Sequence, residues 1–145
     1  MINAALQIFV NKVQVAGRIS FGDVKRLQRD ILPDGISSRE EAELLLTLEQ
    51  TAAWVDAAFG DWLVAMMVDF VVWGMRPTGI ADAGKAAWLL PFVASPQATR
   101  TLRRLVQELV HEAERADPAL LSPPLNRAAQ GAGSKRASAD LRWAA

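Results

Sequence analysis

Apolar residues recur at intervals of three and four along most of the chain, the spacing that places them on one face of an α-helix. The pattern runs from Ala4 to Ala16, where Gly17 stands in the position of a helix stop. It returns from Ala98 to Ala113, with basic and acidic residues on the other faces. Strand patterns are weak throughout. The sequence therefore predicts an all-α protein.

Residues that favour helix ends divide this pattern into separate helices. Ser and Asp or Glu three residues apart are typical of a capping box, and Ser followed by Pro is typical of a first helical turn. Pro91 is expected to end a short helix that begins near Ala83. The predicted helix starts are Ser20 with Asp23, Ser37 with Glu40, and Ser95 with Pro96.

The segment from Asp56 to Trp73 is apolar in almost every direction around a helix. One narrow stripe of this helix is not apolar, and it carries Asp61 and Asp69 beside small residues. Two carboxylates near a bilayer centre would each cost roughly 2.5–3.5 kcal/mol, so no transmembrane segment is predicted. We expect a compact bundle of five to seven helices around this central buried helix. Trp54, Trp62, Trp73 and Trp88 are expected to pack in the core, or alternatively some of them line an apolar groove for a partner helix.

A weak internal repeat supports the same architecture. Gly35-Ile36-Ser37 and the helix after it are matched by Gly79-Ile80-Ala81 and a second helix, and Gly17 begins a looser copy. Such self-similarity is typical of a duplicated supersecondary unit. The sequence thus predicts a weak duplication of a helical hairpin.

A shift in composition predicts where the domain ends. Residues 1–116 form the predicted helical domain, and residues 117–145 form a Pro/Ala/Gly/basic tail without apolar periodicity. A segment of that composition buries too little apolar surface to offset its ordering entropy, so we expect disorder there. Leu141 and Trp143 near its end are either anchors of a short docking motif or unstructured residues.

Composition excludes several classes of chemistry. The chain has 145 residues, no cysteine and one histidine, so thiolate sites and sites with two imidazoles are excluded. The net charge of zero is the sum of a basic segment (residues 1–29), an acidic one (30–82) and a second basic one (83–145). No nucleic-acid motif, nucleotide loop or hydrolase signature occurs, and no targeting segment is evident. We expect a cytoplasmic protein that does not bind nucleic acid.

Short motifs give the chain a resemblance to a known family. The motifs are Asp34-Gly35-Ile36-Ser37, Glu40-Glu41-Ala42, Leu44-Leu45-Leu46, Trp62, Asp69, Gly79, and Ala86 with Trp88-Leu89. With them the chain resembles the tellurite-resistance TerB-like helical domains, nearest to their uncharacterised bacterial members, over about residues 15–113. The turn at Asp34-Gly35-Ile36 lacks one residue of the family's commonest DG-x-I form.

The resemblance implies an all-α fold of paired helices without known catalysis. It also implies an association with metal or stress responses and with protein assemblies near the membrane. Family members carry acidic positions proposed to bind divalent cations, and Asp34, Glu40 and Glu41 fall on the matching turn. An alternative explanation of these three residues is a turn former and a helix cap.

Asp61 and Asp69 are candidates on separate grounds, because an unpaired buried carboxylate is costly and both share one stripe. The alternative explanations of these two residues are pairing with Arg76 or an N-terminal base, or plain exposure of the stripe. The leading hypothesis is a non-enzymatic interaction module that binds a protein partner or self-associates, with any membrane association through that partner. The alternative hypothesis is a sensor that binds a divalent cation such as calcium through the carboxylates of Asp34, Glu40, Glu41, Asp61 and Asp69. A third is an enzyme that uses Asp61 and Asp69 as an acid and a base.

Overall fold

A computed structural model describes residues 3–96 and 98–121. Within this part of the chain seven helices pack around one core, which confirms the predicted all-α bundle. The helices are α1 (Ala4–Ala16), α2 (Phe21–Arg26, continued by a π-helical segment Leu27–Ile31), α3 (Arg39–Thr51), α4 (Ala57–Val68, continued by a π-helical segment Asp69–Gly74), α5 (Ala83–Val93), α6 (Arg100–Glu112) and α7 (Pro118–Leu121).

Side-chain caps fix the start of each of the first six helices. At each of these starts a side-chain oxygen accepts a hydrogen bond from a backbone N–H of the first turn, one of the donors that a helix start leaves unpaired. The predicted box of Ser20 and Asp23 is confirmed. The capping residues are Asn3, Ser20, Ser38, Asp56, Asp82 and Thr99.

Two predicted starts and one predicted stop are wrong. The predicted cap of α3 is wrong by one residue. Ser38 rather than Ser37 caps the helix, and its side chain accepts a hydrogen bond from the backbone N–H of Glu41 rather than Glu40. The last long helix starts after Thr99, not at Ser95. Helix α5 runs through Pro91 to Val93, since a proline in the last turn removes only one backbone hydrogen bond.

Helix α4 lies at the centre of the bundle, as predicted. It packs against α2, α3 and α6, and Phe59, Leu63 and Met67 on its inner faces are fully buried. With its π-helical end it is 18 residues long with a mean hydropathy of 1.4, enough by length and composition to cross a membrane. Half of it is buried against the other helices.

Two pairs of short parallel strands show which residues correspond in the two halves of the duplication. Strand β1 (Arg18–Ile19) pairs with β2 (Trp54–Val55), and β3 (Ile80–Ala81) pairs with β4 (Arg115–Ala116). Gly17 precedes β1 with φ 75°, and Gly79 precedes β3 with φ 81°, a conformation that favours glycine. The structural repeat therefore relates Gly79 to Gly17, whereas the sequence pattern had related it to Gly35.

The described chain extends past the predicted domain boundary. Residues 118–121, which composition assigns to the tail, form α7, and Leu120 is fully buried. Apolar Leu120 therefore belongs to the core of the domain. The rest of the predicted tail, with Leu141 and Trp143, lies outside the described residues.

The tryptophans divide into core and surface positions. Trp62 is buried, in agreement with the prediction, and Trp88 is partly buried with its indole N–H donating to Glu43 Oε2 at 2.7 Å. Trp54 and Trp73 are about half exposed. The prediction of core packing is wrong for these last two, since each follows or ends a helix at the surface.

Candidate functional site

The candidate site is a surface groove between α4 and α6, which we call the α4–α6 groove. One wall is the stripe of α4 that the sequence had singled out, and the other is the polar face of α6. Val64, Ala65 and Val68 supply its apolar surface. The charged lining residues are Asp61, Arg104, Glu108 and Glu112.

Close packing of the two helices positions the groove. Gly60 of α4 faces Thr101 of α6, where the absence of a side chain lets the helices approach. Helix α6 buries Leu102, Leu105 and Leu109 and turns Arg104 and Glu108 outward. The amphipathic pattern of α6 thus sets which of its charges reach the groove.

Two side-chain contacts join α6 to α4 and to the π-helical end of α4, and the first of them links the two walls of the groove. The Nη2 of Arg104 donates to Asp61 Oδ1 at 2.9 Å, a solvent-exposed ion pair. The indole N–H of half-exposed Trp73 donates to Glu112 Oε2 at 3.1 Å. Among the predicted partners of Asp61 were Arg76 and the N-terminal bases, and the residue that the structure brings to it is Arg104 instead.

The groove carries an excess of negative charge. Three carboxylates line it against a single guanidinium. Within residues 3–96 and 98–121, Glu108 has no ion pair or hydrogen bond to another side chain. Asp69, the other predicted carboxylate of the stripe, is exposed further along α4 and does not line the groove.

Of the acidic residues in and just before the first turn of α3, Glu41 takes part in starting that helix. Glu41 is buried, and its Oε1 accepts hydrogen bonds from Ser37 N at 3.0 Å and Ser37 Oγ at 2.9 Å. Asp34 and Glu40 are exposed. A hydrogen bond from its own backbone N–H is the main cause that lowers the pKa of Glu40. Helix initiation accounts for the contacts of Glu41.

The five predicted cation ligands lie in two places: Asp34, Glu40 and Glu41 in and just before the first turn of α3, and Asp61 and Asp69 on the outer stripe of α4. In the described ranges 3–96 and 98–121, no three carboxylate or imidazole side chains converge on a point that a metal ion could occupy. The arrangement gives no support to a site with several protein ligands. Cation binding by Asp34, Glu40, Glu41, Asp61 and Asp69 stays a prediction.

A buried carboxylate that the sequence analysis missed lies near one end of the groove. Glu49 of α3 is only 6% exposed, and its Oε1 has no hydrogen-bond partner. Burial raises the pKa of Glu49, while a hydrogen bond with Thr99 and the positive charge of Arg104 partly oppose this. Its position four residues after buried Leu45 was the available signal.

A buried ammonium is the second charged group that the sequence analysis missed. Lys85 is 1% exposed, and its Nζ donates to the carbonyl oxygens of Pro77 and Ile80, both at 2.7 Å. Burial lowers the pKa of Lys85, and the nearby Asp82 carboxylate partly offsets this. The ammonium holds the loop before α5 in place. Its position four residues before buried Leu89 was the signal for burial.

Comparison with known proteins adds no relative to this picture. No protein-family model, curated protein or solved structure matches the chain.

Proposed function

We propose that this chain is a non-enzymatic protein-interaction module, of the TerB-like type that its motifs resemble, and that it binds a basic segment of a partner protein in the α4–α6 groove. The observation that carries the proposal is the groove's charge. Three carboxylates face one guanidinium along an exposed surface with an apolar floor. Surfaces of one sign steer partners of the opposite sign toward them.

The apolar residues of the groove support a peptide ligand over a simple counter-ion. Ala65 is exposed and Val68 is partly exposed, so apolar side chains of a partner would find surface to bury between the charges. Half-exposed Trp73 near Glu112 offers a large aromatic side chain of the kind enriched at binding hot spots. An amphipathic helix with basic and apolar residues has the chemistry to match this surface.

Titration with a short amphipathic peptide of lysine and leucine tests the proposal, with a peptide of glutamate and leucine as control ligand. We expect the lysine peptide to bind, and its affinity to fall as salt is added, because the groove's charges are solvent-exposed. Binding is measured by calorimetry and by tryptophan fluorescence, with Trp73→Phe to assign the optical signal.

A pair of matched double variants locates the binding site. Glu108→Gln with Glu112→Gln removes two charges from the groove, and we expect binding to weaken roughly two- to thirty-fold, the effect of two exposed ion pairs. Asp30→Asn with Glu40→Gln makes the same charge change outside it. Equal affinity of both variants for the lysine peptide would contradict the proposal.

A further inference from the structure

A second surface, formed by the end of α1, the start of α2 and the pair of β1 and β2, carries several exposed apolar side chains. Val15 is 91% exposed, Phe21 54% and Trp54 49%. Val15 and Phe21 flank the turn at Gly17, and Trp54 is the register partner of Arg18 in the pair of β1 and β2. Strands in a pair lie about 4.8 Å apart, so these side chains belong to one end of the bundle.

A cation lies over each of the two exposed aromatic rings of this surface. The Cζ of Arg18 is 5.2 Å from the ring centroid of Trp54, and the Nζ of Lys25 is 5.2 Å from that of Phe21. Both distances are within the range of cation–π attraction. We call the group of Val15, Arg18, Phe21, Lys25 and Trp54 the α1–β1 surface.

The outer face of α1 extends the α1–β1 surface with further exposed apolar and basic side chains. Ile8 is 67% exposed and lies two turns before Val15, and Lys12 lies exposed between them. The carboxylates nearest in sequence are already engaged, because Asp23 is part of a capping box and Asp56 caps α4. Apolar and basic side chains therefore dominate this part of the molecule.

We infer that the α1–β1 surface docks the protein onto an anionic lipid bilayer. Tryptophan and phenylalanine suit the boundary between headgroups and acyl chains, and aliphatic side chains such as those of Val15 and Ile8 gain from leaving water there. Lys12, Arg18 and Lys25 match the negative charge of the lipid headgroups, and each basic residue near such a surface strengthens binding roughly fivefold.

The exposed aliphatic side chains favour lipid over single-stranded nucleic acid. Bases bind by stacking on aromatic rings beside basic groups, and that chemistry leaves Val15 and Ile8 without a partner. Val15 and Ile8 would gain little from a phosphate backbone. A membrane uses the aliphatic groups, the ring edges and the cations together.

Co-sedimentation of the full chain with phosphatidylcholine vesicles, with and without phosphatidylserine, tests this inference. We expect binding that requires phosphatidylserine and weakens with salt. Val15→Glu changes a side chain that makes little packing contact, and it should abolish binding, with Val15→Ser giving a partial loss. Leu121→Glu, which also places a carboxylate at an exposed apolar position but outside this surface, should leave binding unchanged.

The basic residues are tested in the same assay. Lys12→Gln with Lys25→Gln should weaken vesicle binding roughly thirty-fold, whereas Arg100→Gln with Arg103→Gln, the same charge change on α6, should have little effect. Circular dichroism and thermal melts establish that each variant is folded. Equal binding to vesicles without phosphatidylserine would overturn the inference. So would an unchanged Val15→Glu, or binding only to an RNA oligonucleotide offered as a competitor.

Discussion

Gly60 of α4 lies so close to Thr101 of α6 that a β-carbon at Gly60 would stand 2.8 Å from Thr101 Oγ1. Real β-carbons do not come so near a neighbouring atom, so a side chain at position 60 requires either Thr101 or the helices to shift. The spacing of the walls of the α4–α6 groove depends on this contact.

The variant Gly60→Ala should therefore lower stability, although alanine is the better helix former. Helix propensity would favour alanine by about 1 kcal/mol. Overpacking against Thr101 costs about 1–3 kcal/mol, so we expect a net loss of up to about 2 kcal/mol in urea denaturation. In a Thr101→Ala background the clash is gone, and the same substitution at Gly60 should stabilise. A loss of equal size in both backgrounds would show that Thr101 is not the obstacle.

Glu49 should make stability fall as pH rises. Its pKa is raised in the folded state by burial, so the folded protein holds a proton that the unfolded chain releases. The contribution of Glu49 is therefore favourable below the ordinary carboxyl pKa and is lost as pH rises through the folded pKa. The free energy of unfolding of Glu49→Gln minus that of the parent should therefore increase as pH rises from acid to neutral. Chemical denaturation across that range measures the difference, and exposed Glu108→Gln is the control. A constant difference for Glu49→Gln would contradict the assignment.

Lys85→Met should destabilise the fold by about 2–3 kcal/mol. Methionine keeps most of the buried stem, but it leaves the carbonyls of Pro77 and Ile80 without their donor, and hydrogen bonds to a charged group are worth about 1.5–3 kcal/mol. The matched control is exposed Lys12→Met, which should change little. Thermal and urea denaturation measure both, and equal effects at the two positions would count against the role given to the Lys85 ammonium.

Millimolar calcium, magnesium or manganese should leave the melting temperature within about 1 °C. A ligand that binds only the folded state must raise its stability, by about 2.7 kcal/mol at a hundredfold excess over Kd. Asp34, Glu40 and Glu41 are separated from Asp61 and Asp69 by location in the fold, and no convergent group of ligands is found among residues 3–96 and 98–121. A clear rise in melting temperature that Asp61→Asn abolishes would instead support the cation sensor.

The helices were predictable because their signal is local. Apolar spacing defined α1, α4 and α6, since the residues that bury a helix face recur along the helix itself. The cap of α3 shows the limit of that signal. Ser37 and Ser38 are adjacent and chemically equal, and the choice between them depends on the burial of Glu41, which is a tertiary effect.

The sequence indicated only the α4 wall of the α4–α6 groove. Asp61 was identified because its stripe interrupts an apolar helix, but its partner Arg104 is far away in sequence and nothing in the pattern joins them. The pairing of β1 with β2 is equally hidden, because two-residue strands have no periodicity to detect. Glu49 and Lys85 were missed because charged side chains are rarely buried, and only the full packing shows that they are.

The duplication has a consequence for how the chain unfolds, because α4 belongs to both of its halves. It begins directly after β2, which closes the first half, and it leads to Gly79, which opens the second. Neither half can open without losing a wall of the other's core. We therefore expect one cooperative unfolding unit. Amides at the centres of α3 and α5 should share a single free energy of opening in hydrogen exchange at equilibrium.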